Sequence, residues 1–253
     1  MRKMAQFKLD GVAIVVGAAG GIGREVAFTF AEAGVKGMLL ADVNAEASAE
    51  VAEQAKSLAS NPAYTYLSTR VDATDVTSVD EMVDLAVKTF GRIDYCINAF
   101  GVDVAEYVPP QQTTLEDYDR VLGINTKGPF LITRAVGRVM LSQEPAQADF
   151  GRLGLRDIGR GSIVNVSSAM ALVAVPAKAP YTTSKHAVTG VTKAAGIRVN
   201  QVCPTWVRTP MFEEECRRIP ETPEALNKLS PIKRPIEPDE VAAACLLVGP
   251  AIG

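Results

Sequence analysis

Apolar residues fall in short dense runs, separated by longer stretches in which apolar and polar positions alternate at helical spacing. The runs VAIVV at 12–16, MLLA at 38–41, YTYL at 64–67, IDYCI at 93–97, SIVNV at 162–166 and IRVNQV at 197–202 read as strands. Residues 22–33, 45–59, 76–89, 115–141 and 181–195 read as helices. Strands that are apolar on both faces and alternate with helices predict right-handed βαβ crossovers and a buried parallel sheet. The expected fold class is α/β, a doubly wound parallel sheet in three layers.

Two segments break the rhythm. Residues 142–161 (SQEPAQADFGRLGLRDIGRG) are polar and Gly-rich where a short turn would suffice, so an insertion on the surface is expected. Residues 211–235 carry Pro220, Pro223, Pro231 and Pro235 around a short helical stretch that follows a strand end. In a doubly wound sheet such a segment overhangs the ligand crevice, and a substrate lid is expected there. No internal repeat or Gly/Ser linker divides residues 1–253, so they read as a single domain.

The first strand runs into Gly17-Ala18-Ala19-Gly20-Gly21-Ile22-Gly23 and then a helix. Glycine permits a tight turn and close backbone approach, and a helix N-terminus offers free N–H groups and partial positive charge to a pyrophosphate. The second strand closes on Asp42, placed to accept hydrogen bonds from both adenosine-ribose hydroxyls and to repel a 2′-phosphate. Capping the following helix is the competing role for Asp42. This Rossmann-like arrangement predicts a dinucleotide cofactor, NAD(H) in preference to NADP(H).

Composition narrows the rest. A chain 47% hydrophobic and 22% charged can bury one sizeable core. A net charge of −3 without a basic run gives no long-range attraction for nucleic acid or an anionic membrane. Cys96, Cys203, Cys216 and Cys245 lie far apart without metal-ligand spacing, so neither a metal site nor a disulfide framework is expected. No apolar run reaches bilayer length and the first residues have no apolar leader core, which predicts a cytoplasmic protein.

The strand at 162–166 ends in Ser167-Ser168, and thirteen residues after Ser168 comes Tyr181-Thr182-Thr183-Ser184-Lys185. Positions i and i+4 share a helix face, so Tyr181 and Lys185 are expected to project together. A nearby ammonium favours a phenolate, lowering a phenol pKa of about 10 toward general acid–base work.

With these motifs in this order, the sequence resembles the short-chain dehydrogenase/reductase family of the one-domain type, from the glycine loop through Asn98 and Gly101, Asn125, Ser168, Tyr181 and Lys185 to Cys203-Pro204 and Thr209-Pro210. The resemblance implies that Ser168 hydrogen-bonds the substrate oxygen, that Tyr181 exchanges its proton, and that Lys185 binds the nicotinamide ribose. It implies a relay water held by Asn125. It places Gly17, Gly21, Ile22 and Gly23 at the phosphates, Asp72 at the adenine, Asn98 and Gly101 along the dinucleotide, and Val207 and Thr209 at the carboxamide. The reaction implied is hydride transfer between nicotinamide C4 and the carbon of an alcohol or ketone, coupled to proton transfer at its oxygen. An NADPH-dependent ketoreductase, a nucleotide-binding protein without turnover, and a nonredox enzyme on the same fold are the alternatives.

Other residues read as supporting. Ser167 is one residue off the family spacing and reads as structural, His186 as a surface or packing residue, and Trp206 as pocket wall or core. Val102, Val104, Tyr107, Val173, Val175, Trp206, Met211 and Phe212 suggest an apolar substrate pocket. Val16, Ala99, Phe100 and Thr205 depart from the family pattern, putting a large ring near the adenosine side and a branched residue near the nicotinamide. The stretch from Tyr181 to Gly196 is about two helical turns shorter than the pattern, and the sequence stops short of the family's last strand. The resemblance further implies a homodimer or homotetramer, with Ala187, Val188, Val191, Ala194 and Ala195 offering apolar surface.

Overall fold

The computed structural model describes residues 9–149, 152, 154–195 and 197–249. Six parallel strands, β1 (Val12–Val16), β2 (Gly37–Asp42), β3 (Thr65–Arg70), β4 (Tyr95–Asn98), β7 (Ser162–Val166) and β8 (Val199–Val202), form one sheet in the order β3-β2-β1-β4-β7-β8. The order reverses between β1 and β4, which is the doubly wound arrangement, and it opens a crevice at the strands' carboxyl ends.

The strand period of two sorts the core into halves. Ala13 and Val15 of β1 face one side with Met38 and Leu40, packing under α1 (Gly21–Ala33), α2 (Ala45–Leu58) and α9 (Pro238–Val248). Ile14 and Val16 face the other side with Leu39 and Ala41, packing under α3 (Val76–Phe90) and α5 (Gly128–Ser142). Each fully buried large side chain, such as Phe30 or Ile14, contributes about 1.5–3 kcal/mol. Asn44 and Asp75 cap α2 and α3, each accepting from a backbone N–H three residues on.

Several boundaries differ from the sequence reading. The expected helix over 115–141 is two helices, α4 (Leu115–Leu122) and α5, joined by a π turn at Gly123–Lys127. Pro129 at the start of α5 has no N–H to give to the Asn125 carbonyl four residues back, so a regular α-helical ladder cannot run through. Strand β4 begins at Tyr95 rather than residue 93, because the Gln143 side chain takes both the N–H and the C=O of Ile93, at 2.7 and 2.9 Å. Strand β3 runs to Arg70, beyond the expected 64–67, since it pairs with the whole of β2; its polar second half is that of an edge strand.

Residues 142–161 contain the antiparallel pair β5 (Ala146–Asp149) and β6 (Leu155–Gly159), a separate two-stranded sheet. Residues 211–235 carry α7 (Pro210–Arg218) and α8 (Thr222–Leu229). The two ends of this segment are tied by Arg208 N–H to Ile236 C=O and Ile236 N–H to Trp206 C=O, both 2.9 Å. Helix α6 (Ala179–Lys193) begins two residues earlier than expected, with Pro180 in its first turn. Val188, expected on an apolar surface, is 1% exposed and belongs to the interior. Gly196 and residues 250–253, on which the expectations of a shortened helix and a missing strand bear, lie outside the described residues. Among the described residues, no helix is long and apolar enough to cross a membrane.

Candidate active site

A cleft of about 840 Å³ lies at the carboxyl ends of four strands. Its walls are Gly20–Ile22 after β1, Ala99–Gly101 after β4, Ser167–Met170 after β7 and Pro204–Val207 after β8. Helices α7 and α8 and the turn between them close the outer side with Met211, Phe212, Ile219 and Leu229.

One end is built from backbone. Gly17 has φ 86° and its N–H bonds the Ala41 carbonyl at 2.8 Å, which turns the chain sharply off β1. No side chain caps the N-terminus of α1, so its first amides point outward unclaimed by a cap. Asp42 accepts from the Ala19 N–H on one oxygen and from the Asn44 N–H on the other, each at 3.0 Å. The cap of α2 is Asn44, which removes the competing role for Asp42. Asp72 accepts from the Thr74 hydroxyl and N–H, and these bonds hold its carboxyl below the ordinary value. The turn is packed tightly, since a Cβ on Gly17 would stand 2.8 Å from the Ala99 backbone and one on Gly23 1.9 Å from the Gly17 carbonyl oxygen. Uncapped amides at a helix N-terminus are donors of the kind a phosphate accepts from.

The other end is built from side chains. Ser168 follows β7 in extended backbone, accepts from the Met170 N–H at 3.2 Å, and lines the cleft beside the Tyr181 phenol. The Lys185 Nζ stands 5.4 Å from the centre of the Tyr181 ring. Removal from water pushes the Tyr181 phenol above its ordinary value, and the neighbouring Ser168 hydroxyl opposes that. Burial pushes the Lys185 ammonium down to about 8. A lysine so placed changes protonation close to neutral pH, whereas the phenol lies above its ordinary value and not below it, the direction that its spacing from Lys185 suggests in the sequence.

Asn125, 1% exposed, grips both sides of the Val102 peptide at 2.8 Å and donates to the Ser184 hydroxyl at 3.2 Å. That hydroxyl in turn donates to the Tyr181 carbonyl at 2.7 Å, so the π turn is locked to the helix that carries Tyr181 and Lys185. Gly101 sits between them, where a Cβ would be 3.2 Å from Asn125 Oδ1 and 3.4 Å from Lys185 Nζ.

The structure thus brings Ser168, Tyr181, Lys185, Asn125 and Gly101 together, and Val207 and Thr209 line the same cleft as Gly21 and Ile22. Asn98 is placed differently. Its amide is 2% exposed and donates to Asn165 Oδ1 at 2.8 Å, so its side chain joins β4 to β7 inside the sheet. His186 is exposed, and Ser167 is buried facing the Lys185 carbonyl. Phe100 places its ring over Gly128, where a Cβ would be 2.9 Å away, and so packs on the α5 side of the core.

Sequence reasoning missed a charged cluster in the same cleft. Lys178 Nζ binds Asp103 Oδ2 at 2.8 Å and Glu215 Oε2 at 3.0 Å, and all three side chains are nearly buried. Tyr107 donates to Asp103 at 2.8 Å and Trp206 Nε1 to Glu215 at 3.3 Å. The members come from three loops and a helix far apart in sequence, so no local spacing signals them.

The fold is that of a Rossmann-like dinucleotide-type domain with its cleft at the switch point. A family model described as enoyl-(acyl carrier protein) reductase matches residues 17–249. Short-chain dehydrogenase anuF of Penicillium roqueforti is 39% identical over 250 residues, covering 96% of this chain and 90% of that one. D-threitol dehydrogenase of Mycolicibacterium smegmatis is 35% identical over 252 residues, covering 96% and 87%. The crystal structure of levodione reductase superposes with a TM-score of 0.80 at 27% identity, over 96% of this chain and 91% of that one. The chain belongs to the short-chain dehydrogenase/reductase family of oxidoreductases.

Proposed function

We propose that this protein is an NAD(H)-dependent oxidoreductase that interconverts a secondary alcohol and a ketone, with Tyr181 as the acid/base. The observation that carries the reading is the convergence of Ser168, Tyr181 and Lys185, whose Nζ lies 5.4 Å from the centre of the Tyr181 ring, in a cleft that opens onto the glycine loop. The nicotinamide dinucleotide, when bound, accepts or returns the hydride. Ser168 holds the substrate oxygen, Tyr181 takes or gives its proton, and Lys185 favours the phenolate and holds the nicotinamide ribose. Asn125 supports Lys185 through a relay water: Pro129 leaves its carbonyl without the usual donor four residues on.

Gly17, Gly21, Ile22 and Gly23 approach the pyrophosphate, Asp72 and the backbone of Asn98 and Gly101 line the adenosine and ribose path, and Val207 and Thr209 meet the carboxamide. Asp42 excludes a 2′-phosphate by like-charge repulsion. The walls formed by Val173, Val175, Trp206, Met211 and Phe212 favour a hydrophobic substrate, over which α7 and α8 act as the lid. The protein works in the cytoplasm, consistent with four free cysteines, as one domain that assembles into a homodimer or homotetramer.

Incubation with NAD and a panel of secondary alcohols, followed by NADH fluorescence, tests the activity. NADH formation is expected with apolar cyclic or aromatic alcohols. Tight NADH binding with no turnover on any alcohol or ketone would instead identify a nucleotide-binding protein, and faster turnover with NADPH would reverse the cofactor assignment. Light scattering at micromolar concentration tests the assembly.

A further inference from the structure

We propose that Lys178 is a positioning residue for the Tyr181 reaction: held by Asp103 and Glu215 against the Tyr181 ring, it neutralises two carboxylates that would otherwise oppose the phenolate. This rests on Tyr181 being the acid/base.

The geometry is a compensated cluster at the wall of the cleft. The Lys178 Nζ lies 5.6 Å from the centre of the Tyr181 ring and 5.0 Å from that of Tyr107. Its side chain is 10% exposed, that of Asp103 12% and that of Glu215 13%. Charges so far removed from water interact much more strongly than on a surface. The residue before it, Ala177, has φ 66°, a conformation that costs a non-glycine residue about 1–2 kcal/mol and is held here by its surroundings.

Every charged or titratable group that packs on Tyr181 enters the balance. Asp103 and Tyr107 come from the loop after β4, Glu215 and Arg218 from α7, Lys178 and Lys185 from α6 and its cap, and Cys203 faces Lys185 from the end of β8. Both carboxylates act to raise the Tyr181 phenol, and Lys185 carries the other positive charge over its ring. Arg218 lies over the far ring, 5.1 Å from the Tyr107 centre. Without Lys178, two carboxylates would face the phenol with one fewer cation, and a phenolate there would form at higher pH. Burying unpaired carboxylates is itself costly, so the pairing also holds α7 to the loop after β4.

The experiment reads the pH profile of kcat/KM for alcohol oxidation, together with the near-ultraviolet absorbance of tyrosinate, using Tyr181→Phe to subtract the other tyrosines. Lys178→Met is expected to move the rising limb and the Tyr181 absorbance to higher pH by about one unit, a tenfold loss at fixed pH on that limb. Lys178→Arg is expected to restore both. The triple variant Lys178→Met, Asp103→Asn, Glu215→Gln also returns the limb toward its original position, although the contact to α7 stays broken. Should Lys178→Met fail to fold, Asp103→Asn with Glu215→Gln keeps the lysine and is expected to move the limb to lower pH. A Lys178→Met enzyme whose KM rises while both pH curves stay in place would overturn the proposal and leave Lys178 as a structural tie. Full turnover by Tyr181→Phe would instead overturn the assignment of Tyr181.

Discussion

Gly23 approaches Gly17 so closely that a Cβ on Gly23 would stand 1.9 Å from the Gly17 carbonyl oxygen. Helix α1 can therefore start against the turn that leaves β1 only if residue 23 has no side chain. Gly23→Ala forces backbone to move on both sides, because the clashing atom is a carbonyl and not the end of a flexible side chain. The expected cost is about 1–3 kcal/mol in denaturant unfolding, with NADH affinity reduced more than stability alone explains. An alanine variant with unchanged midpoint and unchanged affinity would show that the loop adapts freely.

Tyr181→Phe keeps the ring on which Lys185 and Lys178 lie and removes only the phenol oxygen and its exchangeable proton beside Ser168. Turnover is expected to fall by about 10²–10⁴-fold, while fluorescence titration with NADH stays close to the unmutated protein. Wild-type turnover in this variant would take Tyr181 out of the chemistry.

Asp42 is held in place by the Ala19 and Asn44 N–H groups, so its carboxylate cannot easily turn away from a phosphate on the neighbouring ribose. Asp42→Asn keeps the shape and removes the charge. The ratio of kcat/KM for NADH over NADPH is expected to drop by at least tenfold, about 1.4 kcal/mol. An equal ratio in both proteins would mean that Asp42 does not choose the cofactor.

Lys185 is 4% exposed, and burial takes its ammonium from 10.5 to about 8. A lysine whose folded value lies below its unfolded value destabilises the fold at pH below both, and the penalty fades as pH rises from about 8 to 10.5. The full displacement corresponds to at most about 3–4 kcal/mol. Lys185→Met is therefore expected to be more stable than the parent at neutral pH without cofactor, to lose that advantage above pH 10, and to be inactive. Thermal melts of both proteins across pH test this, and a methionine variant less stable at pH 7 would contradict it.

Much of the molecule was legible along the chain because the physics there is local. Apolar runs of strand length gave β1, β2 and β7 nearly to the residue, since a strand buried on both faces has little choice of composition. The shared face of Tyr181 and Lys185 followed from helical spacing, while their roles came only with the family resemblance, and the glycine loop followed from a strand, a turn and a helix in immediate succession. The polar half of β3 carried no such signal, because an edge strand exposes what a central one hides.

What the sequence by itself determined was the alternation of the six central strands with helices and the residue types each end of the cleft would offer, but not the β5–β6 pair, α9 or the break between α4 and α5. Tertiary structure decided what those residues face. Pro129 breaks the 115–141 helix at Asn125, yet only packing brings Asn125, Val102 and Ser184 into one hydrogen-bonded group. Asn98 ends β4 where a cofactor would pass, yet its amide is spent on Asn165 across the sheet. Lys178, Asp103 and Glu215 lie 75 and 37 residues apart from one another in the pairs they form, and no periodicity relates them. They meet because α7 and the loops after β4 and β7 all converge on the carboxyl edge of one parallel sheet, and a charge buried there must find its partner from whichever segment the fold brings near.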